Sequence, residues 1–220
     1  MKRLFQSKEF ILFDLDGTLT DPKEGITRSV AYALSKFGIE TPDLDSLRPF
    51  IGPPLLEAFM EYSGLSEQAA LQAVEYYRER FREVGIFENI LYAGIPELLE
   101  KLKGAGKRVL LATSKPEVFA RRILKHFALD SYFDFAGGST LDHTRDRKAE
   151  VIRYVMEQCG ISDPGSAVMI GDREHDVLGA KACGMEAIGV LYGYGSQEEL
   201  EAAGAAGIAR SLEELGAMLL

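Results

Sequence analysis

Asp14 and Asp16 stand two residues apart in the segment Asp14-Leu15-Asp16-Gly17-Thr18, directly after the apolar run Phe10–Phe13. Two carboxylates at this spacing converge on one site if the chain leaves a strand as it passes them, and Gly17 permits an unusual turn there. One carboxylate can then attack an electrophilic phosphorus while the other carries a proton. An acidic loop with a turn glycine has the same letters. Its place after a buried strand favours chemistry, because ligands in open α/β sheets bind beyond the carboxyl ends of the strands.

Three further places carry matching chemistry. Thr113-Ser114-Lys115 follows the apolar run Val109–Ala112, and a hydroxyl with free backbone N–H groups at a strand-to-helix turn suits a phosphoryl oxygen. Pro116 reads as the first helical residue after it, and the alternative is a Thr or Ser that merely caps the helix. Lys148 opens a helical pattern, where a cation opposes the helix dipole unless it answers nearby negative charge. Arg145 and Arg147 compete for that role. Gly171-Asp172-Arg173-Glu174-His175-Asp176 follows the run Val168–Ile170. Asp172 and Asp176, four apart on a helix start, can point to one side and offer the hard oxygen ligands that suit magnesium. An ordinary acidic first turn is the competing reading; Glu174 is a further candidate and His175 reads as surface.

The elements that must position these residues follow from periodicity. Short apolar runs at Phe10–Phe13, Val109–Ala112, Val168–Ile170 and Ala187–Leu191 predict strands buried on both faces. Helix-like spacing covers Ile95–Lys103, Glu117–His126, Ala149–Cys159 and Asp176–Cys183. Strand alternating with helix predicts an α/β fold with a parallel sheet. From Pro22 to Gly85 the rhythm breaks into helical patterns at Ile26–Phe37, Leu55–Tyr62 and Glu67–Val84, punctuated by Gly and Pro, with no strand. This predicts a helical insert over 21–85 within a core made of 1–20 and 86–220. The tail from Gly195 to Leu220 predicts closing helices.

Bulk properties narrow the classes. The 220 residues suit one domain plus an insert, and a net charge of −9 disfavours nucleic-acid polymers and anionic membranes. Cys159 and Cys183 have no metal-ligand spacing and read as free thiols in a reducing compartment. The basic start is followed by a short, broken apolar run rather than a secretion signal, and no stretch approaches a membrane span. A cytoplasmic protein is the expectation; oligomeric state is not legible.

FDLDGT at Phe13–Thr18, TSK at Thr113–Lys115, Lys148 and GDREHD at Gly171–Asp176 together resemble the four motifs of the haloacid dehalogenase superfamily. The resemblance covers nearly the whole chain and is nearest to its small phosphatases, the phosphoglycolate phosphatases and bacterial 5′-nucleotidases. It implies a Rossmann-like three-layer core, a mobile four-helix cap and a need for Mg²⁺. By position it implies Asp14 as nucleophile, Asp16 as general acid/base, and Mg²⁺ held by Asp14, Asp172 and the Asp16 carbonyl with support from Asp176. Thr113, the Ser114 backbone and Lys148 would neutralise the phosphoryl group, with Gly17 alongside in the substrate-binding loop.

Asp16 argues against dehalogenation, which needs no second acid two residues after the nucleophile. Gly52 is followed by Pro53, Pro54 and Leu55 rather than a basic residue, which weakens a phosphomutase. A phospho-receiver domain would lack the insert, and a nucleotide-binding protein without catalysis would have no use for Asp16. The expected activity is hydrolysis of a small phosphomonoester, phosphoglycolate first and nucleoside monophosphates as the alternative. Arg48, in the insert segment Arg48–Pro54, is the expected substrate contact of the insert, with Lys23 and Glu24 as further polar candidates near the entrance and exposed surface as their competing reading.

Overall fold

The computed structural model describes residues 5–142 and 144–220, so the basic opening Met1–Leu4 lies outside the described residues. The chain divides into two compact units, one of Met1–Thr20 with Leu91–Leu220, the other of Asp21–Ile90. It starts with β1 (Phe10–Phe13), then β2 (Thr20–Asp21), and enters the second unit's helices α1 (Lys23–Ser35), α2 (Leu55–Ser63) and α3 (Glu67–Phe81). It returns through β3 (Ile90–Leu91), which pairs with β2 as a two-stranded ribbon where the chain passes between units. No strand was expected there.

The rest of the first unit alternates helix and strand. In order come α4 (Ile95–Gly104), β4 (Arg108–Pro116), α5 (Glu117–His126), β5 (Phe135–Ser139) and α6 (Lys148–Cys159). Then follow β6 (Ala167–Gly171), α7 (Glu174–Ala182), β7 (Glu186–Val190), α8 (Gln197–Ala203), β8 (Gly207–Ala209) and α9 (Leu212–Leu219). Six strands form one sheet in the order β5-β4-β1-β6-β7-β8, every pairing parallel. All four residues of β1 are buried, as a strand covered on both faces requires. Phe10 and Leu12 pack with Val151, Ile152, Val155, Val177 and Leu200 of α6, α7 and α8. Ile11 and Phe13 therefore point to the opposite face, because strand side chains alternate. This is the Rossmann-like three-layer α/β core that the sequence predicts.

Two strands of the six-stranded sheet also escaped the periodicity. β5 reads FAGGS, and its glycines look like a loop; a Cβ on Gly137 would stand 2.5 Å from Val155 Cγ2, and one on Gly138 2.6 Å from the Lys115 carbonyl oxygen. Close packing there replaces the apolar signal with glycine. β8 is three residues long and splits the tail between α8 and α9, so the closing segment is not helical throughout.

The second unit packs α1 and α2 against α3, with a seven-residue 3-10 helix at Leu44–Phe50 alongside three α-helices where four helices were implied. Its centre holds Ile26, Val30, Leu34, Phe50, Phe59, Val74 and Phe81, all buried, with Phe50 and Phe59 edge-to-face at 5.1 Å. The return to the first unit comes five residues beyond the expected boundary at 85, because residues 85–88 stay tied to α1 and α3. The Gly25 N–H donates to the Glu88 carbonyl at 2.9 Å. Arg80 donates to the Glu88 carboxylate at 2.7 and 2.9 Å, and Arg28 at 3.0 Å.

These guanidinium groups, Arg80 first, hold the Glu88 carboxyl below its ordinary value. A carboxyl lowered on folding adds stability above its unfolded value and loses it as pH falls through the folded one. Glu88→Gln is therefore expected to lower the urea midpoint at neutral pH, and the gap from wild type should close near pH ~3, below the usual carboxylate range. A gap that is constant with pH would show that the ion pairs add nothing.

Candidate active site

Both central carboxylates emerge at the carboxyl end of β1. The Asp14 N–H donates to the Ile170 carbonyl at 2.9 Å, which extends the β1–β6 ladder by one residue. The chain then turns: the Leu19 N–H donates to the Leu15 carbonyl at 2.8 Å and the Gly17 N–H to the Thr20 carbonyl at 2.8 Å. Gly17 takes φ 79°, and a Cβ on it would lie 2.1 Å from Asp172 Oδ2. Glycine is required twice over, by its left-handed backbone and by the carboxylate against it.

Lys148, the first residue of α6, is buried, with Nζ 2.8 Å from Asp14 Oδ1, 2.8 Å from Asp176 Oδ1 and 3.0 Å from the Ala112 carbonyl oxygen. An ammonium has three donors, and three acceptors surround this one. Burial by itself would push Lys148 down; Asp14 and Asp176 outweigh it and hold the ammonium above its ordinary value. That charge answers the unfavourable helix-start position noted in the sequence. The competing arginines turn elsewhere: Arg145 donates to the Gly138 carbonyl at 2.9 Å and lies 3.6 Å from the Tyr154 ring centre, and Arg147 is exposed.

Asp172 follows β6 and Asp176 lies in the first turn of α7, both 1% exposed. Asp172 Oδ2 accepts from the Tyr194 N–H at 2.8 Å, and Asp176 Oδ2 from the Arg173 N–H at 3.2 Å. Burial pushes the Asp172 carboxyl well above its ordinary value, with repulsion from Asp176 and Asp14 added. Burial also pushes Asp176 up to about 6, against the pull of Lys148. Oxygens of Asp14, Asp172 and Asp176 lie within 4.8 Å of one another. Glu174 and His175, half-buried, are outside that group.

Charge decides what this cluster can hold. Asp14, Asp16, Asp172 and Asp176 are all buried, and so are Lys115 and Lys148. When all four are ionised, four carboxylates against two ammonium groups leave two negative charges, the charge of one divalent cation. Buried charge without a partner is costly, so a hard dication among these oxygens fits the donor set. A metal site of this kind is what the residues can form.

Thr113 and Ser114 do not stand at a strand-to-helix turn as the sequence predicts. β4 does not end at Ala112; it runs to Pro116 with an irregular register between Thr113 and Pro116. Pro116 is thus the N-cap of α5, which starts at Glu117, and Ser114 is strand rather than helix start. The bulge turns the segment at the end of β4, beside Asp14, and the Thr113 hydroxyl accepts from the Lys115 N–H at 3.2 Å. Arg48 belongs to the other unit, exposed in its 3-10 helix, where its charge helps lower Asp45 after the larger effect of Lys23.

Two features had no assigned role in the sequence reading. Lys115 Nζ is 2.7 Å from Asp16 Oδ2. Tyr192-Gly193-Tyr194-Gly195, just after β7, wraps Asp172: besides the Tyr194 N–H, the Tyr192 hydroxyl donates to the Thr18 carbonyl at 3.2 Å. A Cβ on Gly193 would lie 2.3 Å from the Gly17 carbonyl oxygen and 2.5 Å from Asp172 Cβ. The alternating Tyr and Gly after an apolar run was the available signal. No helix among the described residues is long and apolar enough to cross a membrane.

Residues 11–190 match the family model of haloacid dehalogenase-like hydrolases. A 5′-nucleotidase of Pseudomonas aeruginosa is 56% identical over 192 residues, covering 87% of this chain and 86% of that one. A tyrosine-protein kinase PtkA of Mycobacterium tuberculosis is 39% identical over 196 residues, 89% of this chain and 66% of that one. A phosphoglycolate phosphatase of Colwellia psychrerythraea is 32% identical over 204 residues, 89% of each. The crystal structure of a predicted phosphatase from Clostridium acetobutylicum superposes with a TM-score of 0.93 at 52% identity, covering 95% of this chain and 96% of that one.

Carboxyls raised on folding make the metal-free protein lose stability as pH climbs from the ordinary carboxylate value through about 6. In a chelator, the wild-type thermal midpoint is expected to fall over that window, and that of Asp172→Asn to fall less. A divalent cation should raise the wild-type midpoint and leave that of Asp172→Asn nearly unchanged. A wild-type midpoint indifferent to divalent cations would remove the metal assignment.

Proposed function

The chain belongs to the haloacid dehalogenase-like hydrolases and is a phosphatase, and from that premise we propose that it hydrolyses nucleoside 5′-monophosphates through an aspartyl-phosphate on Asp14, with Mg²⁺ as its metal. The observation that carries the mechanism is the division of charge at the end of β1. Asp14 lies on the side of Lys148 and the acidic group, whereas Asp16 is held by a different cation, Lys115.

In this reading Asp14 attacks phosphorus and Asp16 protonates the departing oxygen. Asp16 then takes a proton from the water that opens the phosphorylated Asp14. Burial raises the Asp16 carboxyl despite the opposing pull of Lys115, which favours a group that starts protonated. Lys148 stands beside the attacking carboxylate and balances charge on the phosphoryl oxygens, the main demand of phosphoryl transfer. Asp14, Asp172 and the Asp16 carbonyl would hold Mg²⁺, with Asp176 in support; when bound it offsets the repulsion between carboxylate and phosphate. Thr113 and the Ser114 backbone remain the proposed phosphoryl contacts, with the Gly17 loop.

Nucleotides come ahead of phosphoglycolate, reversing the order expected from the sequence, because the 5′-nucleotidase relative is 56% identical and the phosphoglycolate phosphatase 32%. Phosphoglycolate stands as the second reading. The partner in either case is a small phosphorylated metabolite. Two unpaired cysteines support a reducing, cytoplasmic setting.

With Mg²⁺ and para-nitrophenyl phosphate, Asp14→Asn is expected to lower kcat by about 10⁴-fold or more and Asp16→Asn by about 10²-fold or more. Undiminished turnover in Asp14→Asn would sink the mechanism. Nucleoside 5′-monophosphates should exceed 2-phosphoglycolate in kcat/KM, and the opposite ranking selects the second reading. Arg48→Ala is expected to raise KM for the preferred substrate with kcat retained; an unchanged KM would withdraw Arg48 as a substrate contact.

A further inference from the structure

Lys115 and Asp16 form a buried ion pair in which the mechanism gives Lys115 no role of its own. Nζ and Oδ2 are 2.7 Å apart, with the two side chains 5% and 11% exposed. Taking two charges out of water costs as much as their attraction returns, so stability alone does not account for the pair. The backbone nevertheless goes to some length to form it. β4 slips register between Thr113 and Pro116, the Thr113 hydroxyl accepts from the Lys115 N–H, and Gly138 lets β5 come so near that a Cβ would be 2.6 Å from the Lys115 carbonyl oxygen. Lys115 is thereby fixed from its own strand and from the next.

The other oxygen of Asp16 is in a different condition. Oδ1 is buried and has no hydrogen-bond partner. Lys148 is in no position to serve it, since Asp14, Asp176 and the Ala112 carbonyl surround that ammonium. One carboxylate oxygen is therefore anchored while its twin is buried with open hydrogen-bonding capacity.

We propose that Lys115 is a positioning residue, which anchors Asp16 Oδ2 so that Oδ1 is the oxygen that exchanges the proton. The proposal rests on the aspartyl-phosphate reading above. In the first step the bond from Asp14 to phosphorus forms, the bond from phosphorus to the leaving oxygen breaks, and the proton on Oδ1 passes to that oxygen. In the second, a water oxygen bonds to phosphorus, the bond to Asp14 breaks, and a proton from the water returns to Oδ1. Throughout, Oδ2 keeps its hydrogen bond from the Lys115 ammonium, an ion pair whenever Oδ1 is deprotonated, so the carboxyl turns neither away from the leaving group nor toward Asp14.

The test uses leaving groups that differ in their need for a proton. Para-nitrophenyl phosphate releases an acidic phenol; adenosine 5′-monophosphate and 2-phosphoglycolate, whichever wild type turns over faster, release an alcohol. Lys115→Met is expected to lower kcat on the alcohol ester by about 10²-fold, the scale of a general-acid contribution, and on the phenol ester by less than about tenfold. KM for both should stay near wild type, Lys115→Arg should recover part of the loss, and adding Lys115→Met to Asp16→Asn should cost nothing more. Equal losses on both esters with raised KM would make Lys115 a contact to the phosphoryl group and overturn the proposal. Lys115→Leu, which also removes the donor, covers failure of Lys115→Met to fold; the same split is expected of it, and lack of a split is equally fatal. Undiminished turnover by Asp14→Asn overturns the underlying mechanism instead, so the two failures are distinguishable.

Discussion

The constraint on which the rest of the structure depends is the burial of four carboxylates at the end of one strand. Like charges out of water repel and lose hydration, and no arrangement of Asp14, Asp16, Asp172 and Asp176 is tolerable without cations among them. Two lysines are brought in, one from β4 and one from α6, and each takes a different side of the group. The negative charge left over when all four are ionised suits the centre to a dication. Chemistry and fold are thus coupled through electrostatics: the same uncompensated charge that burial disfavours is what a hard dication would offset.

Holding these charges in place falls to parts of the chain that carry no reactive group. The parallel sheet delivers β1, β4 and β6 side by side, so that Asp14, the Thr113–Lys115 bulge and Asp172 leave adjacent strands at the same end. Glycines then allow approaches that a methyl group would forbid, at Gly17 and Gly193 against Asp172 and at Gly138 against Lys115. The Tyr192 hydroxyl and Tyr194 amide tie the segment after β7 to the first loop and to the Asp172 carboxylate. Burial raises the Tyr192 phenol, which keeps it a donor. These are positions where a single added atom would move a charge.

The parts of this arrangement that were legible in the sequence share a cause. β1, β6 and β7 are central or doubly covered strands, and their unbroken apolar runs report that burial directly. β5 was not legible because its contacts with Val155 and Lys115 are made through glycines, and β8 because three residues carry no period. The end of β4 was misplaced for a related reason. A bulge changes register without changing composition, so Thr113-Ser114-Lys115 reads as a helix start when it is strand.

By itself the sequence determined the reactive residue types, their order, and the strands that deliver them. A carboxylate directly after a buried run must emerge at the carboxyl end of that strand, and side-chain alternation is a local property that periodicity records. Only the tertiary structure decided which cation serves which carboxylate. Lys148 was legible as a cation of the site, but its bridging of Asp14 and Asp176, and the pairing of Lys115 with Asp16, join residues 28 to 134 positions apart on different elements. Such pairings depend on where a bulge turns a strand and where a glycine lets two segments close. Those are distances between elements, and no spacing along one element contains them.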